Sequence, residues 1–170
     1  MRTLTLSTLA AIIAGACATT PRPAPAPAPA PATGAAALHA GLNIKHTSVY
    51  VHDQAAALRF YTDVLGFTIK DDVTNGPYRW LTVVAPADPG GTELQLALDD
   101  APAAAAYQQA MVAAGQPAAM FFTADIAAEY ARLQARGAEF TMASMDVTGA
   151  TIAQLRDPSG NLIQLTQLRR

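Results

Sequence analysis

Two stretches of this chain follow one plan, and that repeat restricts its possible folds more than any other feature. VHDQAAALRFYTDVLGF, residues 51–67, reads as the end of a strand, an Asp53 N-cap, an amphipathic helix and Gly66 as the helix stop. TADIAAEYARLQARGAEF, residues 123–140, repeats the plan with Asp125 and Gly137. Cap and glycine stand 13 positions apart in the first copy and 12 in the second. Ala57, Phe60, Tyr61, Val64 and Leu65 fall on one helical stripe, as Ile126, Tyr130 and Leu133 do in the second copy. Each helix is followed by three strand-like segments, 67–72, 78–85 and 92–98, then 138–143, 150–156 and 161–167. The final segments, TELQLAL and NLIQLTQ, match, with Gln95 and Gln164 in equivalent places. A helix over 102–114, opened by Pro102 and ended by Gly115, joins the halves. The expected fold class is α+β: two tandem βαβββ modules forming a concave mixed sheet over 42–168, module one about 42–100 and module two about 116–168.

Ahead of the repeat the chain changes character. Arg2 and the short apolar run LTLSTLAAIIAGA read as a signal peptide over 1–16. The run is too short for a comfortable permanent bilayer span. AGAC resembles a lipobox, with Ala14 where leucine is usual, and this makes Cys17 the expected lipidated first residue of the mature chain. Ordinary cleavage after Ala16 is the alternative, since Ala14-x-Ala16 satisfies that enzyme too. By the same resemblance Ala18, in place of an aspartate, favours the outer membrane. The expected location is therefore a periplasm-facing or outer-membrane lipoprotein, with a soluble periplasmic or secreted protein as the alternative. Residues 17–41 form a Pro/Ala-rich linker that cannot build a core and favours an extended polyproline II stalk. His39 belongs to this stalk.

Composition removes some classes of function. A formal net charge of −2, with no Lys/Arg run, argues against nucleic-acid binding. One cysteine excludes a disulfide scaffold.

NIKHTSVYVHD, residues 43–53, alternates like a half-buried strand and carries His46 on the face of Ile44, Ser48 and Tyr50. A lone inward histidine of this kind reads as a hydrogen-bonded pocket residue before it reads as a metal ligand. GPYRWLTVV, residues 76–84, sets Arg79 with Leu81 and Val83 on one face and Trp80 with Tyr78 and Thr82 on the other. Arg79 beside the aromatics suits a clamp for a carboxylate or phosphate, with Trp80 packing an apolar ligand body. An outward Arg79 with a core Trp80 is the other reading. Glu93 reads either as a base near His46, its pKa raised by burial, or as an exposed carboxylate at a strand entrance after Gly90-Gly91. His52 lies about 20 Å along the strand from His46, too far to share a metal.

HTSVYVHDQAAALRFYTDVLGF and LRDPSGNLIQLTQ together resemble the vicinal oxygen chelate superfamily, which includes glyoxalase I, extradiol dioxygenases and bleomycin-resistance proteins. Asp157-Pro158 with Gly160-Asn161 is also good turn chemistry in its own right. The resemblance implies four inward ligand positions in metal-using members, which fall here on His46, Gln95, Ala118 and Gln164. His46 lies seven residues before Asp53, and Ala118 seven before Asp125. One imidazole, one methyl group and two neutral amides make a poor metal site. Glu93, on the face of Gln95, is the remaining acid that could hold a labile divalent ion with His46. The expected function is binding of a small organic ligand, without a tightly held metal, by His46, Arg79, Trp80, Glu93, Gln95 and Gln164, with a homodimer left open. The rivals are a metal-dependent lyase, isomerase or dioxygenase of the glyoxalase type, and a stalked envelope protein that binds other proteins.

Overall fold

A computed structural model of the chain describes residues 41–169. The expected signal peptide, Cys17, His39 and nearly all of the linker lie outside the described residues. Module one runs β1 (His46–Val51), α1 (Gln54–Arg59), β2 (Thr68–Asn75), β3 (Tyr78–Val84) and β4 (Glu93–Leu98). Helix α2 (Pro102–Ala113) leads to module two: β5 (Ala119–Phe122), α3 (Ile126–Ala135), β6 (Glu139–Val147), β7 (Ala150–Arg156) and β8 (Leu162–Leu168). Each module forms one four-stranded sheet, ordered β1-β4-β3-β2 and β5-β8-β7-β6. The first strand of each pairs parallel with the last, and the other pairings are antiparallel.

The repeat signals have direct physical counterparts. Asp53 Oδ1 accepts from the Ala55 and Ala56 amides at 2.7 and 3.1 Å, and Asp125 Oδ1 accepts from the Ala128 amide at 3.0 Å. Both carboxylates thus satisfy amides that a helix start leaves without partners. Gly66 and Gly137 end their helices at φ of 89° and 84°, where a Cβ would be strained. The extra residue of the first copy is absorbed by a π-helical turn over Phe60–Val64, which follows α1 directly. Its wider ring is closed by the Leu65 amide donating to the Phe60 carbonyl at 3.0 Å.

Strands β2 and β6 run longer than the sequence pattern suggests. The whole of β2 is exposed, so its side chains do not mark its end. Pairing with β3 carries it to Asn75, and the hairpin turns at Gly76.

One hydrophobic core joins the modules. Val49, Val51, Leu81, Val83, Leu94 and Leu96 of the first sheet meet Ala153, Leu155, Ile163 and Leu165 of the second, with Tyr61, Leu65, Ile126 and Leu133 from the helices. The alternate face of each sheet turns away from this core, as period-two geometry requires. At the end of the π-helical turn, Arg132 donates to the Val64 and Leu65 carbonyls at 3.2 and 3.0 Å, and Arg136 to the Asp63 carbonyl at 3.1 Å. Module two therefore caps the helix of module one, placing positive charge where the helix dipole is negative.

A second joint is polar and buried. Asp157 Oδ1 accepts from the Ser159 and Asn161 amides, both at 2.9 Å, while Oδ2 accepts from Asn161 Nδ2 at 2.8 Å and the Tyr61 hydroxyl at 3.3 Å. Asn161 Nδ2 also donates to the Tyr50 carbonyl at 2.8 Å, and Gln108 Nε2 to Asn161 Oδ1 at 3.0 Å. Burial holds the Asp157 carboxyl above its ordinary pKa, against the pull of these hydrogen bonds. Burial, then the neighbouring carboxylate, holds the Tyr61 phenol well above its ordinary range. The Asp157–Asn161 segment is thus a turn and also a module-to-module anchor.

Candidate functional site

The outward face of the first sheet gathers most of the residues singled out in the sequence. His46, Ser48 and Tyr50 of β1 stand beside Glu93, Gln95 and Ala97 of β4, in register from His46 with Glu93 to Tyr50 with Ala97. Thr82 of β3 pairs with Gln95 on the other side, so Tyr78, Trp80 and Thr82 share this face. The Trp80 indole meets the His46 imidazole edge to face, with ring centroids 5.5 Å apart. Since β4 lies between β1 and β3, the contact passes over the strand that carries Glu93 and Gln95.

Beneath it lies a short polar relay. Ser48 Oγ donates to Gln95 Oε1 at 2.8 Å, and Gln95 Nε2 donates to the Tyr78 hydroxyl oxygen at 3.2 Å. Tyr78 and Ser48 were not among the expected ligand-binding residues. Their signal lies in the alternation, which puts Tyr78 in phase with Trp80 and Ser48 in phase with His46. His46 itself meets an aromatic ring where a hydrogen-bond partner was expected.

Glu93 stands in register with His46 and is buried. It is 6% exposed, not an open carboxylate at a strand entrance. Its Oε1 lies 3.2 Å from Lys45 Nζ, and its Oε2 accepts from Thr82 Oγ1 at 3.3 Å. A carboxylate held by an ammonium and a hydroxyl is already neutralised, and it must release Lys45 to act as a base or ligand.

Arg79 stands apart from the group. It occupies the helix-side face with Leu81 and Val83, where Nε and Nη2 donate to the two oxygens of Asp72, each at 2.7 Å. These bonds hold the Asp72 carboxyl below its usual value and Arg79 above its own. Trp80, not Arg79, lines the open face. Arg79 is therefore the ion-pair partner of Asp72, on the face opposite Trp80.

Gln164 lies on the outward face of the second sheet. Its Nε2 donates to Met120 Sδ at 3.6 Å and to Thr166 Oγ1 at 3.1 Å. Met120 pairs with Gln164 as Ser48 pairs with Gln95, so the two modules share one register. This second face is apolar where the first is aromatic and polar: Met120, Phe122 and Met145 are 57%, 64% and 47% exposed.

The residues present do not fit a metal of the type the resemblance implies. Ala118 has no donor atom, Gln95 Oε1 is occupied by Ser48, and Gln164 belongs to the other outward face. Among the described residues, no three His, Cys, Asp or Glu side chains converge. His52, at the far end of β1, pairs with Asp99.

Comparison with known proteins adds to this geometry. The family model of the Glyoxalase/Bleomycin resistance protein/Dioxygenase superfamily matches residues 43–165. The uncharacterized protein YurT of Bacillus subtilis (strain 168) is 47% identical over 126 residues, covering 74% of this chain and 99% of that protein. The crystal structure of UcmS2 superposes with a TM-score of 0.65 at 29% identity, covering 74% of this chain and 97% of that one. TnmS3, an antibiotic binding protein from Streptomyces sp. CB03234, gives a TM-score of 0.61 at 28% identity, covering 75% and 97%.

Proposed function

The chain belongs to the glyoxalase/bleomycin resistance protein/dioxygenase superfamily, and from that premise we propose that it binds a small organic ligand on the outward face of its first sheet. The edge-to-face pair of Trp80 and His46 over Gln95 carries the reading. It offers a flat apolar body two aromatic surfaces, and the Ser48–Gln95–Tyr78 relay offers it neutral hydrogen bonds. The description of TnmS3 as an antibiotic binding protein supports a ligand of that kind. Binding of this sort sequesters the ligand and needs no tightly held metal. Titration with a panel of aromatic antibiotics, followed by fluorescence of Trp80, the single tryptophan of the sequence, tests it. A flat response across a chemically broad panel would count against the reading.

The ligand face is open in one chain, and we infer that a second copy covers it. Val73 and Tyr78 of the first sheet and Met120, Phe122 and Met145 of the second are about half exposed or more. Apolar patches of this kind mark interaction sites. Pairing the aromatic face of one copy with the thioether-rich face of another would bury both and enclose the ligand.

The location proposed is outside the cytoplasm, with Cys17 lipidated and residues 17–41 as the stalk. The apolar run and AGAC support this. Acylated Cys17 in the membrane fraction, and release of the protein by Cys17→Ala, are the expected results.

A second reading, metal-dependent catalysis, draws on one observation: His46 and Glu93 are direct register partners. It requires Glu93 to exchange Lys45 for a cation. Stoichiometric, chelator-sensitive metal in the purified protein would favour it.

A further inference from the structure

The duplicated modules act as controls for each other, and they differ at one seam. In module two, β7 and β8 stay in register at seven positions, from Ala150 with Leu168 to Arg156 with Leu162. In module one, β3 and β4 are in register only at Thr82 with Gln95 and Val83 with Leu94. Both strands continue beyond that point, held on their other sides by β2 and β1. Tyr78–Leu81 and Leu96–Leu98 therefore flank a gap within the sheet.

The residue after the helix cap accounts for the difference. Module two has Ile126 there, 4% exposed within the core. Module one has Gln54, 7% exposed, whose Nε2 donates to the Leu96 carbonyl at 2.7 Å and the Arg79 carbonyl at 3.1 Å. A side-chain amide thus serves two strand carbonyls that face the gap, as buried backbone acceptors require. The other polar atom of that side chain, Oε1, accepts no hydrogen bond among the described residues, yet it is not sealed from solvent. Gln54 lines a cavity of about 330 Å³ together with Tyr78, Gln95, Ala97, Leu98 and Asp100.

The lining is rich in acceptors. Arg79, which also borders the cavity, is neutralised by Asp72, and the exposed Asp100 forms no ion pair among the described residues. Gln54 Oε1 and the Asp100 carboxylate, both on residues that line the cavity, are acceptors that suit an N–H donor. Ala97, Leu98 and the Tyr78 ring supply apolar wall between them.

We propose that the gap between β3 and β4 is a binding slot for a primary ammonium group on a short apolar stem, with Gln54 Oε1 and Asp100 as its acceptors. The slot borders the Trp80 face through Tyr78 and Gln95 but does not require a ligand there, so the two readings stand or fall separately.

The test uses the isotopically labelled full chain titrated with phenethylamine, and with 2-phenylethanol as the uncharged control. Phenethylamine should shift the Gln54 side-chain amide and the Ala97 and Leu98 backbone amides, and the alcohol should not. Asp100→Asn, a surface change, should weaken phenethylamine about fivefold, the scale of one exposed ion pair. Gln54→Ile, which installs the module-two residue, should abolish the shifts and slow hydrogen exchange at Arg79–Leu81. Should Gln54→Ile fail to fold, Asp100→Asn and wild-type exchange rates decide the matter. The proposal is overturned if phenethylamine leaves these signals unmoved, or if Asp100→Asn binds it equally well. It is overturned too if wild-type amides at Arg79–Leu81 are as protected as those at Ala150–Arg156.

Discussion

The Tyr61 hydroxyl donates to Asp157 Oδ2 at 3.3 Å, across the boundary between the two modules. Asp157 accepts three further hydrogen bonds, from Ser159 and from two donors on Asn161. Asp157→Ala should therefore destabilise the domain by about 3 kcal/mol, since it leaves several buried donors unpaired. Tyr61→Phe removes one donor and should cost about 1 kcal/mol. Urea unfolding of each variant measures both.

The raised Asp157 pKa has a definite sign in the pH dependence. Between the ordinary carboxylate range and its higher folded value, the folded state binds more protons than the unfolded state. Stability contributed by this group is therefore greatest below that window and falls as pH rises through it. Asp72, lowered by Arg79, acts oppositely, and its contribution is lost as pH drops below the ordinary range. Urea midpoints across acid pH should show a downward step with rising pH in the wild type, absent in Asp157→Asn. At the alkaline end, the raised Tyr61 pKa makes stability fall above the ordinary tyrosine range, and Tyr61→Phe should lessen that fall.

Truncation at the aromatic pair should separate ligand binding from folding. His46→Ala should weaken a ligand on the open face by about 1 kcal/mol, roughly fivefold, the worth of one edge-to-face contact. Its unfolding midpoint should barely move, because His46 is exposed. Calorimetric titration beside urea unfolding checks both halves.

Chelation should leave the protein unchanged. Among the described residues no three His, Cys, Asp or Glu side chains converge, so little metal-binding free energy is expected to be coupled to folding. Excess EDTA should not shift the melting temperature, and protein prepared without chelator should carry well under one equivalent of zinc, nickel, iron or manganese. A chelator-induced drop would redirect attention to Glu93 and its bond to Lys45.

Placing charge on the thioether-rich face should break self-association. Phe122→Glu puts a carboxylate where the side chain is 64% exposed, so the monomer should remain folded. Sedimentation should show dimeric wild type and monomeric variant. If the wild type sediments as a monomer at high concentration, a second copy does not cover the ligand face.

Much of this arrangement was legible in local chemistry. Asp53 and Asp125 cap their helices through a side chain acting on amides two or three residues away, so sequence alone carries that signal. The register matching Gln95 with Gln164 follows from counting along two copies. The orientation of Arg79 and Trp80 did not follow. Period two separates their faces, but helix packing decides which face is covered, and that contact is non-local. The burial of Glu93 depends on Lys45 and Thr82, which no spacing rule connects to it. The seam at Gln54 was hidden for the same reason: a glutamine after a cap looks solvent-facing until the strands beside it fail to pair.

The arginine caps on the π-helical turn that follows α1 tie the two modules together. The last carbonyls of the first helix are served by Arg132 and Arg136, side chains from the second copy. Module one expressed alone would leave those carbonyls to water and Tyr61 without the Asp157 carboxylate. The first module's helix end and its Tyr61 hydroxyl are thus completed by side chains of the second, so the two modules fold as a pair.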